Sequence, residues 1–163
     1  MSKFVMNDDV AVAQFDWGSA GMRADVPSTG CETFVVMDVT LAPGKMHDFH
    51  KHPDQDEMII VKSGRVVQWL EQDSRELGPG DSVYIDKDVV HGSYNDFAEP
   101  AQLAVVLAPA VTDGGYVAVD VTAADVPGEL GVVLVVGRHH HRQLDAGAGQ
   151  RLQLVQVDQP RPA

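Results

Sequence analysis

His50 and His52 stand one residue apart, so on a β-strand both side chains leave the same face, about 7 Å apart along the chain, and can share one ion. Glu57 follows and opens the apolar run EMIIVK. A turn through Pro53 and Asp54 would fold that strand beside the first and bring a carboxylate to the same point. His91, distant in sequence but again at the start of an extended run, supplies a fourth donor. Three imidazoles and a carboxylate are costly to bury unpaired. As nitrogen and oxygen donors they suit one divalent transition metal per chain, whether Fe, Mn, Ni, Co, Cu or Zn, and a six-coordinate ion would keep positions open for water or substrate. Glu57 is the expected catalytic group, because a carboxylate can accept a substrate proton while the imidazoles hold the ion.

The elements that would carry these donors are strands. Runs rich in Val, Ile, Thr and aromatic residues recur at short spacing, and no segment keeps a helical period over several turns. Strands are predicted at 33–40, 57–62, 64–70, 82–85, 91–95, 102–108 and 115–121. The segments APGK, KSG, LGPGD and TDGG between them each hold a glycine able to take positive φ. An all-β sandwich or barrel follows.

In this setting the residues resemble the cupin superfamily, as a small single-domain member. Its first motif, G-x5-H-x-H-x4-E-x6-G, is matched by Gly44, His50, His52, Glu57 and Gly64. The second, G-x5-P-x-G-x2-H-x3-N, is matched at Gly80, His91 and Asn95 and departs at Asp86 and Asp88, where proline and glycine usually stand. Aspartate tolerates such turn positions, so an altered turn before an intact ligand is expected. The resemblance spans roughly residues 33–108 and implies a double-stranded β-helix, a jelly-roll barrel, with the four residues named above as metal ligands.

Other polar residues have weaker claims. Gln55, Trp69, Tyr84 and Tyr94 are candidates for lining a pocket, although packing explains each equally well. His47, three residues before His50, would face the opposite side of a regular strand and sit at a rim. His139, His140 and His141 resemble a metal motif, yet adjacent strand residues point to opposite faces, and adventitious binding is the stronger reading. Cys31, the single cysteine, cannot form an internal disulfide.

With 163 residues the chain suits one core. Residues 1–30 read as an N-terminal arm, 31–125 as the barrel and 126–163 as an extension containing a β-hairpin and a frayed end. Lys and Arg number 8 and Asp and Glu 22 up to residue 137, giving −14, whereas the remainder has 4 and 2, giving +2, which places a composition shift near Arg138. The overall charge of −12 repels phosphate backbones and anionic lipid, so nucleic acid and membranes are poor partners and a small organic molecule is the expected one. The opening MSKFVMNDDV lacks an apolar segment, and a cytoplasmic protein is expected. If Glu57 points inward, Met58 and Ile60 point outward although both are apolar, and cupins commonly pair, so a homodimer is expected.

Three functions fit this chemistry. The first is a dioxygenase-like oxidoreductase acting on an enol, diol or phenol. The second is a non-redox isomerase, cyclase or lyase using the ion as a Lewis acid. The third is a non-catalytic module that binds a small molecule.

Overall fold

Strict alternation builds the central strands. In Ala101–Ala108, alternate residues Ala101, Leu103, Val105 and Leu107 are buried, and in Asp56–Ser63 the buried residues are Glu57, Ile59 and Val61. Each such strand gives one side to the interior and the other to solvent, which is the period of a pleated sheet.

The computed structural model describes residues 3–111 and 115–121. In chain order the strands are β1 (Val12–Phe15), β2 (Gly18–Ala24), β3 (Val35–Leu41), β4 (Met46–Lys51), β5 (Asp56–Ser63), β6 (Val66–Leu70), β7 (Asp73–Leu77), β8 (Ser82–Ile85), β9 (His91–Tyr94), β10 (Ala101–Ala108) and β11 (Val119–Asp120). They form two antiparallel sheets with orders β1-β2-β3-β10-β5-β8 and β11-β4-β9-β6-β7. Val35, Leu41, Val61, Val66, Leu103 and Leu107 belong to the core shared between the sheets. This is the expected jelly-roll architecture.

Departures from the predicted strands have physical causes. Asp73–Leu77 reads as polar and almost all of it is exposed, but its backbone completes a five-residue ladder with β6 at the sheet edge. Of the predicted strand at 115–121 only Val119–Asp120 forms a strand, against β4, while Gly115 makes an isolated bridge to Val111. Residues 1–30 contribute β1 and β2, which extend the larger sheet beyond β3, followed by a single helical turn, Val26–Thr29. The larger correction concerns the strand carrying Glu57. β5 lies between β10 and β8, not beside β4, so Pro53 and Asp54 carry the chain from one sheet to the other. The extension at 126–163, with the two strands read there and His139, His140 and His141, lies outside the described residues.

The motif residues that are not ligands hold the corners. At Gly64 φ is +71° and an added Cβ would lie 2.4 Å from the carbonyl oxygen of Pro100, so no larger residue fits the β5–β6 turn. Asn95 is fully buried; its amide donates to the carbonyls of Leu41 and Glu99 and its Oδ1 accepts from Phe97 N–H. Asp88 takes the left-handed conformation, φ +64°, at the position where the motif has glycine. There its N–H donates to the carbonyl of His52 and its carboxylate pairs with Lys51, tying the altered turn to the end of β4. A short polar side chain tolerates this region better than most.

Candidate metal centre

Two strands of the smaller sheet set the first pair of donors. His50 on β4 and His91 on β9 are direct cross-strand partners, with ring centroids 4.3 Å apart. His52 follows β4 at the corner between the sheets, and Glu57 reaches the same point from β5 in the facing sheet. One ligand atom from each of His50, His52, Glu57 and His91 lies within 4.8 Å of the others, and all four residues are buried. The carboxylate thus arrives across the interior.

Hydrogen bonds orient the three ligand imidazoles. Nδ1 of His50 lies 2.7 Å from the carbonyl oxygen of Asp48, Nδ1 of His52 2.7 Å from that of Val117, and Nδ1 of His91 2.8 Å from that of Val89. A carbonyl only accepts, so each Nδ1 carries the proton and donates it, leaving the Nε2 lone pair free to bind a cation. The clamp on His52 is itself held. Gln55, buried, donates to the carbonyls of Pro109 and Gly115 and accepts from Val117 N–H, fixing the residue whose carbonyl orients His52.

The donor atoms call for a positive charge. Nε2 of His91 is 2.7 Å from Oε2 of Glu57, and Nε2 of His52 is 3.6 Å from the same oxygen. Oε2 of Glu57 and Nε2 of His91 are buried without a hydrogen-bond partner. With the ring neutral, two lone pairs face each other at that distance and repel unless a metal cation or a proton lies between them. Donors about 2.1 Å from one ion are at most about 4.2 Å apart, so closure of the cluster requires shifts below about 1 Å. The residues therefore fit a divalent metal. Burial, reinforced by neighbouring imidazoles, pushes His50 well below the ordinary histidine value, and burial also lowers His52 and His47, a shift that for His50 and His52 favours the neutral form ligation requires.

The donors sit at one end of a cavity of about 180 Å³ whose walls include Met37, Leu41, Ile59, Leu103 and Leu107. Among the described residues lining it, Glu57 is the only one with formal charge, and no Lys or Arg is present. The four residues expected to line a pocket lie elsewhere. Gln55 is spent on the backbone contacts above. Trp69 turns away from the cavity and packs on Phe49 and Val90, because inward alternation on β6 falls to Gln68 and Val66. Tyr84 is exposed on the outer face of β8, and Tyr94 opposes Met46 and Val67 at the far end of β9.

His47 is where sequence periodicity misleads. Between His47 and His50, β4 takes three steps while β9 takes two between Ser93 and His91, so a bulge turns His47 to the cavity side. Its ring meets that of His50 at 4.4 Å. Phe15, Trp17, Ser93 and Tyr116 also line the cavity. Trp17 reaches it from the β1–β2 turn and Tyr116 from beyond β10; only the tertiary fold brings them there.

Comparison with known proteins gives a consistent picture. A family model described as a cupin domain matches residues 37–107. Solved structures similar to this chain include an RmlC-like cupin from Shewanella frigidimarina (17% identity, 69% of this chain and 96% of that one, TM-score 0.60). Another is the polyketide cyclase RemF from Streptomyces resistomycificus (20% identity, 71% and 89%, TM-score 0.58). A third is a sugar phosphate isomerase of the cupin superfamily from Silicibacter pomeroyi (29% identity, 57% and 60%, TM-score 0.51). No curated protein matches the chain. Among the described residues no helix is long and apolar enough to cross a membrane.

The lowered histidines give the metal-free protein a pH dependence with a definite sign. An unfolded histidine titrates near pH 6.5, and a folded one held neutral binds fewer protons below that value, so the contribution to stability is complete above about pH 6.5 and lost as pH falls through the folded-state values. Each such group contributes a slope of at most about 1.4 kcal/mol per pH unit. Urea unfolding of chelator-treated protein is expected to show lower stability at pH 5.5 than at pH 7.5; equal or greater stability at the lower pH would contradict the assignment.

Proposed function

Because this chain belongs to the cupin superfamily, we propose that it is a metal-dependent oxidoreductase of the dioxygenase type, acting on a small neutral enol, diol or phenol. The observation that carries the reading is an imidazole and carboxylate donor set opening into a cavity with no Lys or Arg among its described lining residues. A divalent ion held by His50, His52, Glu57 and His91 would leave a local excess of positive charge that favours loss of a substrate hydroxyl proton and, if redox-active, would pass electrons towards dioxygen. Glu57 is the proton acceptor in this scheme. The three ligand histidines cannot serve, since each Nδ1 already carries a proton given to a backbone carbonyl and each Nε2 is the atom that would hold the ion. The apolar walls exclude water and admit dioxygen, itself apolar, beside an organic ring.

A second reading, non-redox isomerisation, cyclisation or lyase chemistry, draws on the same donors and on the 29% identity to a sugar phosphate isomerase. Against a phosphorylated substrate stands the cavity, where the described lining residues include no Lys or Arg to meet the phosphate. Elemental analysis of protein purified without added metal, joined to oxygen-electrode measurements over a panel of phenols and enols, separates the two. Iron, nickel or copper with substrate-dependent oxygen uptake is the expected result. Zinc with product formed and no uptake would overturn dioxygenation in favour of the second reading.

We also propose a homodimer, built on the outer face of the larger sheet. Val36, Val106, Met58 and Tyr84 form one cross-strand row there, with Ile60 beside it, 39% exposed. Apolar residues in register across four strands would bury their surface against a second copy of the same row. Light scattering at micromolar concentration is expected to give twice the chain mass, and Met58→Glu with Val106→Glu to give the monomer. A monomeric mass for the unaltered protein would contradict the proposal.

A further inference from the structure

Beside the metal ligands the cavity carries a second polar pair. His47 and Ser93 are direct cross-strand partners on β4 and β9, next along the ladder from His50 and His91, and both line the cavity. The Ser93 hydroxyl donates to Oε1 of Gln68 at 2.6 Å, and Nε2 of Gln68 donates to the carbonyl of Trp69 at 3.1 Å. With its proton committed, Ser93 Oγ keeps its lone pairs for an incoming donor. His47 differs from the ligating histidines in a telling way. Their Nδ1 atoms are clamped by backbone carbonyls, whereas the contacts of His47 are edge-on to the rings of Trp17, at 4.9 Å, and His50. Among the described residues no hydrogen bond engages the ring nitrogens of His47, which leaves them available to a ligand.

A flat wall adjoins this pair. Trp17 stacks on Phe15 with centroids 4.7 Å apart and planes 6° from parallel. The wall is anchored: the Trp17 carbonyl accepts from Ala42 N–H at 3.0 Å, and a Cβ at Gly18 would lie 1.8 Å from the Thr40 carbonyl oxygen, so the hairpin tip is pressed onto β3. A cavity of about 150 Å³ accommodates benzene, so the 180 Å³ here takes a substituted ring. A carboxylate or phosphate on that ring would enter a space whose described lining residues include no Lys or Arg and already include Glu57.

We infer that His47 and Ser93, adjoining Trp17, form a recognition subsite for an uncharged planar aromatic ring bearing a hydroxyl group. The ring lies against the indole and its oxygen is hydrogen-bonded by the His47 and Ser93 pair. The inference rests on the cavity being the substrate site and names the substrate class for it.

Equilibrium dialysis of the purified protein with 4-ethylphenol, 4-ethyltoluene and 4-ethylbenzoate tests this, with metal content measured in every sample. The His47→Phe, Ser93→Ala variant is expected to bind 4-ethylphenol about tenfold more weakly, the loss of one to two good hydrogen bonds, and 4-ethyltoluene within about twofold of the unaltered protein. Trp17→Leu is expected to weaken both neutral rings, and 4-ethylbenzoate to bind at least about tenfold more weakly than the phenol. An unchanged ratio of phenol to toluene affinity in the double variant, or benzoate binding equal to phenol, would overturn the subsite. Metal content reads the proposed function separately: full metal with an unchanged ratio rejects the subsite alone, whereas a shifted ratio in protein that takes up no metal supports the subsite and rejects the metal-dependent chemistry.

Discussion

A carboxylate and three imidazoles meet at one end of a cavity that has no Lys or Arg among its described lining residues. Such a meeting is repulsive and costly to desolvate without a cation, and favourable with one. The rest of the structure follows from keeping the donors there. His50 and His91 are set opposite one another by strand pairing, Glu57 is delivered from the facing sheet, and His52 holds the corner between them. Because the donors come from both sheets, a metal bound here would cross-link the two layers of the fold, coupling binding to folding.

Support for the ligands is backbone-built. Each imidazole gives its Nδ1 proton to a main-chain carbonyl, and for His52 that carbonyl belongs to a residue more than sixty positions away, Val117, whose own N–H is held by Gln55. Orientation is thereby supplied by rigid elements, as preorganised metal sites require. The motif residues that are not ligands act one level further out. Gly64 makes room for the Pro100 carbonyl, Asn95 fastens the β3–β4 and β9–β10 corners, and Asp88 substitutes for a glycine while its carboxylate pairs with Lys51.

Much of this was legible in the chain because strand alternation and motif spacing are local signals. The run at 82–85 coincides with β8, the long apolar runs mark β3, β5 and β10, and the ligand spacing points to the four residues that converge. What escaped depends on non-local geometry. A one-residue bulge in β4 reverses the facing of His47, which no periodicity argument contains. Gln55 reads as a pocket residue and is a buried backbone clamp, since its partners at 109–117 become neighbours only on folding. Trp17 belongs to a segment read as an arm, and it enters the cavity wall because β1 and β2 extend the sheet. The polar DSREL segment forms a strand because edge pairing asks for backbone groups more than for apolar side chains.

The central claim is that His50, His52, Glu57 and His91 hold one ion, and it is tested most directly by metal stoichiometry. Protein stripped with a chelator, reloaded with excess cobalt or zinc and freed of unbound ion is expected to retain about one equivalent per chain by elemental analysis. The His50→Ala, His91→Ala variant, checked for a native far-ultraviolet circular dichroism spectrum, is expected to retain almost none. A folded double variant that still held a full equivalent would contradict the account.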